Sequence, residues 1–550
     1  MLENRFVRVV SLVGIYLLLT LPNLGAPSLW DMDEGVNAEC TREMIESGSW
    51  VIPTFNWELR VAKPILTYWI QRPAMLLWGP TEFAARFPSV LLGLGTVLVT
   101  YDLARRMFDS LTGWLSGIAL ASAVQFNLLS HAATPDASLI FFTTLTFYSV
   151  WVGHHNGARW WFLPAAAASG FAVLAKGPIG LAIPGLVVLL YLLWCRDWWR
   201  IFDLRLLWGF LLFAAVALPW YILITAETRG EYLRRFLGNE NVNRFSSAME
   251  GHDGWPTYYF VAFAVMFAPW SCFVGATFWY GVQGARRFQI EPITTEQRAH
   301  RFLLCWFFAF FLFFTAASTK LPNYIGPLYP AAAVLTARFL TRWSDKSIAP
   351  ARWIMPAGTA FVAVTGIAFA AGFLIVSGAV EVNIKGLRLF PGLEYWSPIG
   401  LIPVVCAAVM AYGLKRDNRP LVLGGLVVAA VGLIGITAAG PVLVVDRQKA
   451  AKELVLTSGA LQTHREIHLG SHGYFQESLV FYAQRKVNKL ATPEDVVAFL
   501  QTYPAAYLFI PEKQWLELQS KVPVPTRIAA RKYDFYKNEL IVVITNEVSP

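Results

Sequence analysis

The chain has 550 residues, of which 56% are hydrophobic and only 15% charged, with 22 tryptophans and a formal net charge of +9. Soluble proteins are about half apolar and about a quarter charged, so this composition excludes an ordinary soluble enzyme and points to the membrane class. The positive balance is not a nucleic-acid footprint, because Arg and Lys stand in short loops between apolar runs rather than on one basic face.

A membrane span takes about 20 mostly apolar residues. The runs that fit are 6–24, 83–103, 111–129, 137–153, 160–175, 178–195, 206–225, 257–281, 302–318, 323–341, 353–378, 397–414 and 420–444, about thirteen spans in all. The run from Phe6 to Leu21 has the length of a signal peptide, but its continuation lacks a small-x-small cleavage site, so it is read as a retained first helix. Alternate loops are basic. They carry Arg5 and Arg8, Arg105-Arg106, Arg159, then Arg196, Arg200 and Arg205, then Arg286-Arg287, Arg298 and Arg301, then Arg342, Lys346 and Arg352, then Lys415-Arg416 and Arg419. Under the positive-inside rule these loops share the cytoplasmic side.

The opposite loops differ in kind. Residues 25–82 form a long outer loop in which Ala38 to Ile45 and Ile65 to Leu77 fit helices lying in the interface. Residues 226–256 form a second. An odd number of spans puts the C-terminus outside. The chain thus divides into a membrane domain, 1–445, and a soluble domain, 446–550. In the latter, strand-like runs at Glu466–Leu469, Ala506–Ile510 and Leu540–Thr545 alternate with helical patterns at Gln476–Gln484 and Pro493–Gln501, predicting a small α/β domain. Gly470-Ser471-His472-Gly473 reads as a turn. Five cysteines form no C-x-x-C pair, so neither a disulfide framework nor a zinc site is expected. There is no G-x-x-x-x-G-K-[ST] loop and no strand-flanked G-x-G-x-x-G.

Polar groups gather on the outer side: Asp33-Glu34 behind the first span, Lys63 before an interfacial run, Asp136 at the mouth of the fourth span, Lys176 flanked by apolar residues, and Lys320 with Tyr324. Charge is costly at that depth, so such residues mark function. Singly, each has a plainer reading: a lysine at a span end snorkels to the headgroups, and an Asp after Pro caps a helix. Together, lysines suit a lipid phosphate and a carboxylate suits proton removal. A polytopic transporter or flippase is the alternative. Against it, no repeat relates the two halves, and the polar groups lie at one face rather than mid-membrane.

The ordered set of motifs resembles the GT-C superfamily of lipid-linked-sugar glycosyltransferases, near the protein O-mannosyltransferases and nearest the bacterial transferases of 4-amino-4-deoxy-L-arabinose to lipid A. The resemblance runs through Asp33-Glu34, Ala38 to Met44, Ser47 to Pro53, Lys63-Pro64 and Tyr68-Trp69. It continues in Thr134-Pro135-Asp136, Leu174 to Pro178, Leu218 to Tyr221, Arg244-Phe245, Lys320 to Tyr324 and Ser478 to Tyr482. It implies a multi-pass helical membrane protein of GT-C type with an outer α/β domain, an inverting transfer from a polyprenyl-phosphate donor, and an acceptor such as lipid A, another glycan or a protein. It implies catalytic roles for Asp33 and Asp136, a phosphate contact for Lys63, and further substrate contacts from Glu34, Lys176, Arg244, Lys320 and Tyr324. Two pairs of positions depart from the pattern. Val36 and Asn37 stand where the aminoarabinose enzymes carry Arg-Tyr, and Ala62 and Asn241 stand where that branch holds a metal. Neither is a good ligand for a transition metal, so no metal is expected at those positions, although the oxygen ligands of Asp33, Glu34 and Asp136 suit a hard divalent cation.

The topology has a direct check. A phosphatase that works only in the periplasm, fused after Pro550, should be active, whereas a cytoplasmic reporter at the same point should be silent.

Overall fold

A computed structural model describes residues 4–155, 159–203, 206–243, 254–286, 293–384, 386–462 and 466–547. The N-terminal helix α1 (Arg5–Thr20) is followed by α2 (Asp33–Glu46), a small hairpin of β1 (Thr54–Phe55) and β2 (Glu58–Leu59), and α3 (Leu66–Trp78). The bundle continues through α4 (Glu82–Met107), α5 (Ser110–Ala121), α6 (Val124–His131), α7 (Asp136–His155), α8 (Phe162–Lys176), α9 (Ile179–Trp194), α10 (Leu206–Glu227) and α11 (Glu231–Leu237). It is completed by α12 (Tyr258–Met266), α13 (Val274–Arg286), α14 (Thr295–Ala316), α15 (Tyr329–Ser344), α16 (Ile354–Ser377), α17 (Leu401–Lys415), α18 (Arg419–Ala439) and the short α19 (Pro441–Asp446).

Among the described residues, six helices are long and apolar enough to cross a membrane: Glu82–Met107, Leu206–Glu227, Thr295–Ala316, Ile354–Ser377, Leu393–Lys415 and Arg419–Asp446. Counting Tyr258–Met266 with Trp270–Arg286, a pair bent by 117°, gives up to seven. Of the other expected spans, α7 runs unbroken for 20 residues, and the rest are shorter or interrupted. The run 111–129 divides at Ser122 and Ala123 into α5 and α6, and α8 and α9 have 15 and 16 residues. At about 1.5 Å per residue, such helices fall short of a hydrocarbon core about 30 Å thick. The apolar content that marks them in sequence is used partly in packing against each other, as the burial of Ile118, Leu120, Leu174 and Ile183 shows.

Ion pairs knit the basic loops together. Asp102 pairs with Arg105 and Arg106, Asp109 and Glu296 share Arg338, and Asp197 pairs with Arg298. Helix ends follow local rules: Thr81 accepts from Ala84 N–H to start α4, and Thr294 with Gln297 forms a capping box at the start of α14.

Both expected helices of the 25–82 segment form, but α2 starts earlier, at Asp33, and is buried on all sides from Glu34 to Met44. The C-terminal domain comprises α20 (Ala451–Ser458), β3 (His468–Ser471), α21 (Glu477–Ala483), β4 (Val487–Lys489), α22 (Pro493–Thr502), β5 (Ala506–Pro511), α23 (Glu512–Leu518), β6 (Arg527–Asp534) and β7 (Glu539–Thr545). Its sheet order is β4-β3-β5-β7-β6, with β4, β3 and β5 parallel and β7 and β6 antiparallel. The central strand β5 is buried at every position, as a parallel strand covered on both faces must be. The expected turn is in part strand, since Gly470 and Ser471 end β3.

The domain packs on the β1–β2 hairpin and the start of α4 through paired polar groups. Asn56 donates to Val487 O at 2.9 Å and accepts from Val487 N–H at 2.8 Å, so one side chain satisfies both edge groups of that β4 residue. Lys452 pairs with Glu82 at 2.5 Å. Substituting Asn56→Ala removes both bonds at once. Each is worth about 1 kcal/mol net, so thermal unfolding of the purified protein should shift down by about 1–3 kcal/mol.

Candidate active site

The site is built around one buried ion pair. Glu34, in the first turn of α2, is 2% exposed, and Arg86, on α4, is 4% exposed. Arg86 Nε donates to Glu34 Oε1 at 2.9 Å and Nη2 to Oε2 at 2.6 Å. The remaining guanidinium donors go to backbone carbonyls: Leu24 at 3.0 Å, Pro27 at 2.7 Å and Ser28 at 2.9 Å. All five Arg N–H groups are therefore used. Burial alone would raise the Glu34 carboxyl, but the Arg86 guanidinium, with N–H groups of Trp30 and Ala133, outweighs it and holds it below the usual carboxylate range.

The same carboxylate links two loops. Glu34 Oε1 accepts the Ala133 N–H at 2.8 Å, and Asn37 Nδ2 donates to Ala133 O at 3.2 Å. Ala133 lies three residues before Asp136. Glu34 thus fixes the turn carrying Asp33 against the turn carrying Asp136. The pair with Arg86 gives Glu34 a positioning role, and Glu34 and Arg86 also line a cavity shared with Asp33. Asn37, one of the two departures from the Arg-Tyr pattern, serves the same link.

Asp33 itself is exposed. Met32 before it has φ +68°, a left-handed conformation uncommon for a side-chain-bearing residue, which turns the chain sharply into α2. Arg60 and Glu240 share an electrostatic neighbourhood with Asp33. Asp136 opens α7 and is 3% exposed. Its Oδ1 accepts from Lys176 Nζ at 2.5 Å and its Oδ2 from Asn323 Nδ2 at 3.2 Å. Lys176 is the last residue of α8, ended by Gly177 at φ +82°, and its ammonium lies 5.3 Å from the centre of the Tyr324 ring. Lys63 is half-buried and near enough for its charge to act on Asp136, while Tyr232 Oη donates to Lys63 O at 3.0 Å.

The structure brings Asp136, Lys176, Lys63 and Tyr324 together. Lys320 is held differently: its Nζ donates to Thr315 O and Ala317 O, both at 2.8 Å, so it caps the C-terminal end of α14. Arg244 lies outside the described residues, and of Asn241 only the backbone, in a π-helical segment, is described. Among the described residues no three His, Cys, Asp or Glu side chains are grouped to hold a metal. Sequence reasoning missed Arg86, Asn323 and Arg60. An arginine inside an apolar run was a legible signal for the first.

Behind Asp33 lies a cavity of 610 Å³. Asp31, Asp33 and Thr134 line its polar end, and the apolar wall includes Leu128, Phe369, Phe373, Ile434 and Val442. Asp33 therefore stands at the wall of a largely apolar chamber, with the charge of Arg60 near it.

Residues 62–223 match the family described as dolichyl-phosphate-mannose-protein mannosyltransferase. A protein of Aquifex aeolicus without an assigned function is 33% identical over 335 residues, covering 60% of this chain and 64% of that one. The undecaprenyl phosphate-alpha-4-amino-4-deoxy-L-arabinose arabinosyl transferase 2 of Proteus mirabilis is 30% identical over 349 residues, covering 62% of this chain and 61% of its own length. The chain thus spans less than two thirds of these relatives. The crystal structure of ArnT from Cupriavidus metallidurans bound to undecaprenyl phosphate superposes with a TM-score of 0.79 at 24% identity, covering 99% of both chains.

Breaking the central pair should be costly. Arg86→Met leaves the Glu34 charge buried without its partner and should destabilise the protein by about 3–5 kcal/mol, read as a lowered thermal midpoint in detergent. Adding Glu34→Gln to that variant should recover part of the loss.

In sequence and in fold, the chain is similar to the lipid-linked-sugar glycosyltransferases of the GT-C superfamily, and among them to the aminoarabinose transferases.

Proposed function

We propose that this protein is an inverting glycosyltransferase that moves a sugar from a polyprenyl-phosphate donor to an acceptor on the outer face of the bacterial inner membrane. The observation that carries the reading is the position of Asp33: exposed, at the wall of an apolar chamber, on a turn that Glu34 ties through Ala133 to the segment leading into Asp136 and its partner Lys176. An acceptor hydroxyl beside Asp33 gives its proton to the carboxylate as its oxygen bonds to the anomeric carbon. The bond from that carbon to the phosphate oxygen breaks in the same step, and polyprenyl phosphate leaves. Lys63 and Lys176 stabilise the charge that grows on the leaving phosphate. Asp136 holds the Lys176 ammonium in place through their direct bond, and Asn323 in turn orients Asp136. One carboxylate suffices for a single displacement, which is why inversion is the outcome expected. Arg244 joins the phosphate contacts in this reading.

The donor is undecaprenyl phosphate carrying one sugar, and the acceptor is lipid A, an envelope glycan or a protein. The Proteus relative is named for undecaprenyl phosphate-aminoarabinose. Ala62 and Asn241 here argue for a different sugar and for transfer without a bound metal. Thirteen crossings are reached when the shorter apolar helices α5, α8 and α9 and also α1, α7 and α15 span, and the site and the C-terminal domain then lie on the periplasmic side.

Asp33→Asn removes the charge at constant shape, and turnover of a lipid-linked donor should fall at least about a hundredfold. Wild-type turnover in that variant would remove Asp33 from the chemistry. Lys63→Met should impair donor use more than Lys63→Arg, measured as transfer rate against donor concentration. Transfer in purified membranes should survive excess chelator. Loss of activity that one divalent metal restores would refute the metal-free reading.

A further inference from the structure

The C-terminal domain has no role in the chemistry above, yet it grips the turn that carries Asp33 from one side along its length. Asp31 Oδ1 accepts the Ser478 N–H at 2.7 Å, at the start of α21. The Asp31 N–H donates to Tyr536 Oη at 3.0 Å, in the turn between β6 and β7. The Leu29 N–H donates to Tyr482 Oη at 2.7 Å, and that hydroxyl donates to Glu82 at 3.1 Å. The Trp30 ring meets Phe535 edge-on, with centroids 6.4 Å apart. On the far side of Asp33, Gly35 is pressed against α21: a Cβ there would stand 2.6 Å from Ser478 N and 2.9 Å from its Cα. Glycine is required at that position because backbone meets backbone.

Residues 29, 30, 31 and 35 are thus held by the C-terminal domain, while Glu34 is held by the membrane bundle. Asp33 lies between them with its own side chain exposed. Its position is set by the backbone of the turn rather than by packing of the carboxylate. Met32, at φ +68°, would relax if that grip were released.

We propose that Asp31 is a positioning residue through which the C-terminal α/β domain fixes Asp33 at the acceptor, so that the domain is a working part of the active site. The inference rests on the catalytic role given to Asp33. A displacement of a reacting group by about 1 Å can cost about a hundredfold in rate, and a turn anchored from two sides prevents it.

The test uses the full-length protein in detergent. Asp31→Ala deletes the acceptor for Ser478 N–H, whereas Asp31→Asn keeps an acceptor oxygen and acts as the conservative rescue. In Asp31→Ala, kcat should drop about tenfold or more with KM for the donor lipid changed by less than about twofold, and Asp31→Asn should regain most of the rate. Hydrogen–deuterium exchange of a peptide covering 28–36 should be faster in Asp31→Ala and restored in Asp31→Asn. Tyr536→Phe, which keeps the ring but loses the hydroxyl that receives the Asp31 N–H, should lower kcat in the same direction and supplies a second reading should Asp31→Ala fail to fold. Unchanged exchange in Asp31→Ala overturns the proposal, and so does faster exchange with an unchanged kcat. If the wild-type protein transfers no sugar from any lipid-linked donor, the functional reading fails separately, and unchanged exchange still counts against the anchor.

Discussion

The pairing of Glu34 with Arg86 is the constraint on which the active region depends. It is a charge pair taken out of water, and such a pair is tolerable only when every donor and lone pair finds a partner. Here the guanidinium satisfies three carbonyls of the chain between α1 and α2 besides the carboxylate, and the carboxylate also receives N–H groups from Trp30 and Ala133. The chain that leaves the first helix is therefore folded around Arg86. Its exit, at Asp33, is registered against the entry to α7, at Asp136. Two carboxylates far apart in sequence reach one face of the protein because a third, adjacent to the first, bonds the loop of the second.

Several polar residues that look alike in sequence do different work. Lys176 is the last residue of α8, and Lys320 follows the end of α14 by four residues. Lys176 points its ammonium at a carboxylate and a tyrosine ring, where it can meet an anion. Lys320 spends its ammonium on the last carbonyls of α14. The distinction is geometric: Gly177 reverses the chain after Lys176, whereas the extended residues after Ala316 let Lys320 fold back. Asp33 and Glu34 divide in the same way. Both line the cavity, but Asp33 is exposed whereas the Glu34 carboxylate is buried against Arg86.

The acceptor and donor sides of the proposed reaction occupy different solvents. The apolar chamber behind Asp33 suits hydrocarbon, and the cluster around Asp136 and Lys176 suits a phosphate. A site at such a boundary lets a membrane-bound donor present its headgroup without leaving the bilayer. The C-terminal domain packs against the chain between α1 and the start of α4, since Asn56, Glu82, Asp31 and Leu29 all bond to it.

Much of this was legible from the residues alone. Apolar runs, basic alternate loops and the helical patterns of α2 and α3 follow from local hydrophobicity, which acts through nearest neighbours along the chain. The α/β tail was readable for the same reason, although β4 and β6 were not: β4 is three residues long, and β6 is largely solvent-facing, so neither carries a buried periodicity. What only the tertiary structure decided is which charges meet. Arg86 looked like one residue in an apolar helix, and Glu34 looked like half of an acidic pair. Their union, the breaks within expected spans and the grip of the C-terminal domain on Asp31 all depend on contacts between residues tens to hundreds of positions apart. Local pattern determines which segments leave water, whereas the geometry of packing determines which polar groups they carry in with them and against whom those groups are satisfied.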